Sequence, residues 1–354
     1  MIHFDIVKRK PMEPWQAALL PVIAIAVTLL ISAGLIGIAG ADINEAFTSL
    51  VMGAFGTKFN FFETCIGAVP LVFTGLSVAF AFRAKFWNIG AEGQFLAGAL
   101  GVSAVALALP PVPSFVGIPL LIITGFVSGG LFALIPALLK TKLKVDDVVS
   151  TLLLNYIMYH VMGIFLFGPL QMPGSSWPVT KNFADSLVFP VLIPRTRFHL
   201  GVLLALAAVA VLWIIQKYTV LGYETRAVGV NERVAFFGGI KTWKVTIITA
   251  LIAGGLAGLG GANEVLGIQH RLILDISPGY GYTGVVVAML AQLNPLGVLA
   301  TSFFFSAVGS GASTMSRICH VPAYISGVIQ GLSLLVMLVC LLFRDYSIKV
   351  RKSL

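Results

Sequence analysis

From Phe95 to Leu139 the chain reads FLAGALGVSAVALALPPVPSFVGIPLLIITGFVSGGLFALIPALL, 45 residues without a charge. About 20 apolar residues suffice for one helix to cross a bilayer, so this run holds two crossings. Pro110, Pro111 and Pro113 mark the division, because proline restricts the residue before it and cannot donate to a helix ladder. Uncharged runs recur on both sides: Ala17 to Gly40, Cys65 to Phe82, Val148 to Thr180, His199 to Gln216, Val245 to Asn263, Ile276 to Ser316 and Ile318 to Phe343. Asn294-Pro295-Leu296-Gly297 divides the Ile276 to Ser316 run, which brings the count to about ten segments, two of them short or broken. The 354 residues are 58% apolar and 10% charged, with a mean hydropathy of +0.97. Length alone suggests two or three soluble domains, but this composition leaves too little polar surface for them. It rules out a soluble enzyme, a disulfide scaffold and a disordered chain. The expected fold is an all-α integral membrane protein with broken or re-entrant helices. Its parts are an N-terminal segment 1–16, one transmembrane domain 17–343 and a tail 344–354.

The net charge of +9 sorts by side. An even span count places both termini on one face. Of the 23 Lys and Arg, only Lys58, Lys181, Arg195, Arg197, Arg271 and Arg317 then fall on the opposite face, where the first loop also carries Asp42, Glu45 and Glu63. The positive-inside rule makes the richer face, with both termini, cytoplasmic. The main inner loop is 217–244 and the main outer loop 171–198. A nucleic-acid binder clusters its basic residues among other polar groups, whereas these lie in short runs between apolar stretches, so no nucleic-acid partner is expected. Lys8-Arg9-Lys10 precedes the first run and Ala39-Gly40-Ala41 resembles a cleavage site, but 24 residues exceed a signal peptide's apolar core, and a retained helix is expected. Cys65, Cys319 and Cys340 read as packing residues; no metal spacing is present.

Polar residues inside spans are costly, which makes each one a candidate for a pathway or a packing bond. Asn88, Glu92 and Gln94 sit among Gly90 and Gly93, just past Arg83 and Lys85. They line a re-entrant or broken helix at a central cavity, or Glu92 serves as a helix-start residue accepting amide protons. Asp146 and Asp147 suit a helix N-terminus and begin the fifth span. Within it Asn155 shares a face with Tyr159, and Tyr156 with His160, as a path lining or as interhelical hydrogen bonders. A third group, Asn263, Glu264, Gln269, His270, Arg271 and Asp275, falls in an outer loop as a docking surface or a solvated turn. Gly125 with Gly129, and Gly254 with Gly258, are small-residue pairs one turn apart and mean close helix packing. No Gly-Lys dipeptide occurs, which excludes a phosphate-cradling P-loop, and no H-E-x-x-H, C-x-x-C or G-x-S-x-G is present.

In the inner loop, Asn231 can cap a short helix, Glu232 suits its first turn, and Gly238 or Gly239 can end it. Val234, Phe236 and Phe237 then sit on a helix outside the spans. Such a face invites a protein partner or lies on the inner leaflet. The loop resembles the coupling helix of ABC-importer permeases in the ribose and simple-sugar (branched-chain-type) branch: Gly222, Arg226, Ala227, Gly229 and Asn231, then Gly239-Ile240. Asn88-Ile89-Gly90-Ala91-Glu92-Gly93-Gln94, Thr151 to Ile157, Ser277 to Gly284 and Leu293 to Gly297 are similar to nucleoside-uptake permeases paired with a basic-membrane-protein-type lipoprotein. This resemblance spans roughly residues 60 to 345.

It implies a multi-pass subunit of a bacterial cytoplasmic (inner) membrane, paired with a second, different permease, a cytoplasmic ABC ATPase and an extracytoplasmic binding protein. The chain itself would be no enzyme and carry no cofactor or metal, with ATP bound and hydrolysed by the partner. Arg226, Gly229, Asn231, Glu232, Phe236, Phe237 and Gly239 would couple to the ATPase. Asn88, Glu92, Gln94, Asn155, Tyr280 and Tyr282 would line the path for a nucleoside or nucleobase-like solute. Those residue types suit a sugar equally well, so a simple-sugar importer permease stays open. A third possibility is a self-sufficient secondary transporter using Glu92 and His160.

Overall fold

A computed structural model describes residues 14–318 except 39, 41 and 111, the terminal strands 2–8 and 346–352, residue 319, and scattered positions between 324 and 340. It divides into two compact units, one of Met1–Phe61 with Ala307–Leu354 and one of Phe62–Ser306. The elements in chain order are β1 (Ile2–Lys8), α1 (Pro14–Ile38), α2 (Ile43–Phe55), α3 (Lys58–Arg83), α4 (Ala91–Ala108), α5 (Ser114–Leu143), α6 (Asp147–Leu166), α7 (Leu200–Tyr218), α8 (Val220–Val230), α9 (Glu232–Phe237), α10 (Thr242–Glu264), α11 (Tyr280–Leu290), α12 (Pro295–Ile318) and β2 (Tyr346–Lys352). Among the described residues seven helices are long and apolar enough to cross a membrane, and α11 is a shorter apolar helix. The chain is therefore a multi-pass membrane protein, helical throughout its spans.

The sequence breaks fall where proline and capping chemistry put them. α4 stops at Ala108 and α5 starts at Ser114, across the proline cluster. Likewise α11 ends at Leu290 and α12 opens on Pro295, the helix position that tolerates proline best. Asp146 caps α6 by accepting from Val149 N–H at 3.0 Å. The uncharged run from Val148 is helical as far as Leu166, where Gly168, Pro169, Pro173 and Gly174 cannot sustain the ladder. Two expectations need correction. α12 runs through Arg317 to Ile318, with no break at Ser316. The segment expected as the first outer loop contains α2, whose buried Ala46, Ser49 and Gly53 recur at helical spacing and whose Asp42 cap accepts from Glu45 N–H at 2.9 Å. The expected last span, Ile318 to Phe343, falls largely outside the described residues.

In the smaller unit α2 packs on the final turns of α12: a β-carbon on Gly53 would lie 2.5 Å from Thr314 Cβ, and one on Gly311 would meet the Leu50 carbonyl. The two chain ends form an antiparallel pair, with Ile6 opposite Ile348 and Asp5 opposite Lys349. The reading of spans did not anticipate it, although IHFDIVK and YSIKVRK both approximate the period-two alternation of strands.

In the larger unit α10 lies against both α4 and α5. Its glycines make this possible. A β-carbon on Gly129 would collide with the Gly254 carbonyl, and one on Gly258 with the Gly125 carbonyl; on the other side, Gly98 of α4 meets Gly258 and Gly261 meets the Phe95 carbonyl. The two small-residue pairs on α5 and α10 thus face each other, the close-approach packing that stands in for a hydrophobic drive in lipid. Gly258→Leu would force these backbones apart, a change on the order of 1–3 kcal/mol or more. We expect it to lower the thermal midpoint of the detergent-purified chain by several degrees, while Gly34→Ala, with open space at its β-carbon, leaves it unchanged.

Candidate functional site

Between α3 and α4 the helix unwinds over residues 84–90, and Lys85 takes a left-handed φ of 52°. Buried non-helical backbone must find its hydrogen bonds inside the protein. Here one face of α6 supplies them. Asp147 Oδ2 accepts from Trp87 N–H at 2.7 Å, Thr151 Oγ1 accepts from Ile89 N–H at 3.2 Å, and Asn155 Oδ1 accepts from Gly93 N–H at 2.8 Å. Asn155 Nδ2 also donates to the Ile89 carbonyl at 2.9 Å. The three residues are four apart, one turn each, and all are buried. Lys140 Nζ sits 2.5 Å from Asp147 Oδ2 and donates to the Lys85 carbonyl at 2.7 Å, closing the start of the break.

Within the break Asn88 and Gln94 exchange side-chain amides, each donating to the other at 2.8 Å, and Asn88 Oδ1 also accepts from Gly90 N–H. Both are fully enclosed. Glu92, in the first turn of α4, is buried too, but its carboxylate does not serve its own helix. It accepts from Gly281 N–H at 2.6 Å, one of the free amides at the start of α11. Gly281 has to be small, because a β-carbon there would collide with the Glu92 backbone. Tyr280 is partly buried and tilts over Phe95 with ring centroids 5.8 Å apart. Tyr282, 39% exposed, accepts from Asn155 Nδ2 through its hydroxyl at 3.3 Å. Asn88, Glu92, Gln94, Asn155, Tyr280 and Tyr282 therefore come together where α4, α6 and α11 meet. The expected Asn155–Tyr159 face divides instead: Tyr156, Tyr159 and His160 are exposed, and the buried row runs toward Thr151 and Asp147.

A second polar cluster was not anticipated. Asn263 and Glu264, expected in a loop, are buried in the last turn of α10, which continues as a π turn through Gln269. His199 is also fully buried; its Nδ1 accepts from Gly201 N–H at 3.1 Å. His199 Nε2 and both Asn263 side-chain atoms have no partner among the described residues. The small-residue series Gly254, Gly258, Gly261 and Ala262 was the signal that α10 extends this far. His270, Arg271 and Asp275 do lie exposed beyond it. In the preceding loop, Arg197 is held above its usual pKa by its bond to the Glu63 carboxylate.

In the loop 217–244, Asn231 Oδ1 accepts from Arg233 and Val234 N–H at 3.0 and 3.2 Å and caps α9, with Glu232 in its first turn and Gly238 closing it. Gly239 adopts φ 87°, which glycine alone takes readily. Ala235 anchors the helix by packing with Val228 and Val245, leaving Val234, Phe236 and Phe237 exposed by 65%, 64% and 86%. Two contacts join this region to the helix break. Gly229 lies so close to the Arg83 carbonyl that a β-carbon would clash, and Lys85 Nζ donates to the Val230 carbonyl at 3.3 Å. Arg226 Nε donates to the Gly222 carbonyl at 3.1 Å and lines a cleft with Arg83.

These features define a multi-pass helical membrane protein whose buried polar break is joined through backbone contacts to an exposed apolar helix beyond the spans. Residues 60–338 match the family described as the branched-chain amino acid transport system permease component. The chain belongs to that family. It is similar to the guanosine ABC transporter permease protein NupP of Bacillus subtilis, 32% identical over 90% of this chain and 92% of that one. It is likewise similar to the nucleoside ABC transporter permease protein NupB of Lactococcus lactis, 31% identical over 85% of each. The glucose ABC transporter permease protein TsgB13 of Haloferax volcanii is 29% identical over 99% of this chain and 94% of that one.

Removing Asn155 would strand the Gly93 amide and the Ile89 carbonyl, a cost of about 1–3 kcal/mol per buried group. We expect Asn155→Ala to speed amide exchange of residues 87–93 at least tenfold while α5 and α10 stay protected, as read by hydrogen–deuterium exchange in detergent.

Proposed function

We propose that this chain is the membrane-spanning permease subunit of an ATP-driven ABC importer for a nucleoside or nucleobase-like solute. The observation that carries this reading is α9: a capped six-residue helix, anchored by one buried alanine, that presents two phenylalanines outside the spans. Exposed aromatic side chains, phenylalanine among them, are enriched at protein interfaces relative to the rest of the surface. The partner is a cytoplasmic ATPase, and the lever works through Gly229 and Lys85 onto the helix break. When the ATPases close on α8 and α9, the displacement reaches residues 84–90, the row on α6 and, through Glu92 and Tyr282, the start of α11.

In this reading Glu92, Tyr280 and Tyr282 face the solute, and Asn88, Gln94 and Asn155 hold the break that positions them. Residues 17–343 act as one permease domain crossing a bacterial inner membrane about ten times. The antiparallel pairing of β1 with β2 supports termini on a common side, as an even number of crossings requires. The positive-inside count supports the cytoplasm as that side. A second, different permease, an extracytoplasmic binding protein and the ATPase complete the importer, and ATP is hydrolysed outside this chain. A simple-sugar importer is the second reading; it is favoured by the likeness to the glucose permease over nearly the whole chain.

Two measurements on the assembled importer in liposomes test the proposal. Phe236→Ala with Phe237→Ala should reduce ATPase stimulation by loaded binding protein about tenfold or more while the chain still inserts and folds; unchanged stimulation contradicts the docking role of α9. Uptake of labelled nucleoside should be blocked by unlabelled nucleoside and not by hexose, and the opposite pattern selects the sugar importer.

A further inference from the structure

A cleft of about 430 Å³ opens where the ends of α3 and α7 meet α8 and the turn between α11 and α12. Its walls carry the cations of Arg83, Lys217 and Arg226 and the amides of Gln216, Gln292 and Asn294, with no acidic side chain among them. Three like charges around one cavity repel each other unless an anion lies between them. Gln216 sharpens the point. It is 97% buried (3% exposed), its Oε1 accepts from Arg83 Nη1, and its Nε2 is left without a hydrogen-bond partner among the described residues. A buried donor in that state requires a ligand or water. The opposite wall is held in an uncommon backbone form: Gln292 and Leu293 both take left-handed φ, 52° and 59°, a strain that non-glycine residues keep only where the surroundings impose it.

The depth of the cleft points to what fills it. Trp213, also in its wall, stacks edge-on with Tyr218, and Lys217 Nζ lies 4.9 Å and 5.2 Å from the two ring centroids. Tryptophan, tyrosine and lysine together mark the level of lipid headgroups. Basic pockets between spans on the inner side suit phosphate-bearing headgroups. We propose that this cleft binds a phosphate anion, supplied in the membrane by the headgroup of an anionic phospholipid. The site rests on the orientation argued above, with α8 on the cytoplasmic side.

Native mass spectrometry of the full chain in detergent tests it without ATPase or binding protein, so its outcome is readable even if the transport proposal fails. The probes are dioctanoyl phosphatidylglycerol, dioctanoyl phosphatidylcholine and inorganic phosphate. We expect a phosphatidylglycerol adduct in clear excess over phosphatidylcholine. Arg226→Gln with Lys217→Gln should weaken it about fivefold per cation removed, whereas Lys58→Gln, remote in sequence and outside the cleft, leaves it intact. Competition by inorganic phosphate would identify free phosphate as a sufficient ligand, and its failure would assign the site to lipid. Equal binding of the two lipids, or equal loss in the Lys58 variant, would overturn the proposal. Should the double glutamine variant not fold, Arg226→Lys with Lys217→Arg must keep the adduct and Asn294→Asp must weaken it; any other pattern also overturns it.

Discussion

A buried, non-helical connection between two helices survives only if its free amides and carbonyls are bonded within the protein, and here that requirement is met by three side chains of α6. Asp147, Thr151 and Asn155 occupy successive turns, and each takes a backbone amide of residues 87–93. The arrangement explains why residues this polar lie deep in the fold: their partners are backbone groups that have nowhere else to bond. It also fixes the direction of α4, which leaves the break at Ala91 with Glu92 already turned toward α11.

The glycine seam between α5 and α10 is the second constraint, and it sets distances where the α6 row sets satisfaction. Carbonyl oxygens of Gly125 and Gly254 occupy space that side chains would otherwise fill. α4 also approaches α10 closely, through Gly98 against Gly258. Packing of this kind tolerates little expansion.

Much of this was legible in the sequence because it depends on local chemistry. Proline placed the breaks after Ala108 and before Pro295, aspartate and asparagine placed the starts of α6 and α9, and the spacing of small residues marked the faces that pack. What escaped notice depends on partners far along the chain. The Asp147–Thr151–Asn155 row bonds to backbone, which carries no residue-type signal, so the sequence pairs Asn155 with Tyr159 instead. The sequence offers Glu92 as a cap for its own helix, yet it serves one beginning 188 residues later at Tyr280. Asn263 and Glu264 looked like loop residues because polar side chains beside a turn usually are; their burial follows from the continuation of α10 into a π turn. The family was readable from four motifs in order, whereas the solute leaves no comparable mark, because amides and tyrosines serve a base and a sugar alike.

The exposure of α9 has a consequence for the life of the protein in the cell. A helix with only Ala235 to anchor it, and with Phe237 exposed by 86%, is a recognisable flag of incompleteness. A subunit made in excess of its ATPase would display two phenylalanines to every chaperone and membrane protease it met. On the docking role proposed for α9, the same surface would also govern the subunit's stoichiometry, sparing copies that find a partner and condemning those that do not.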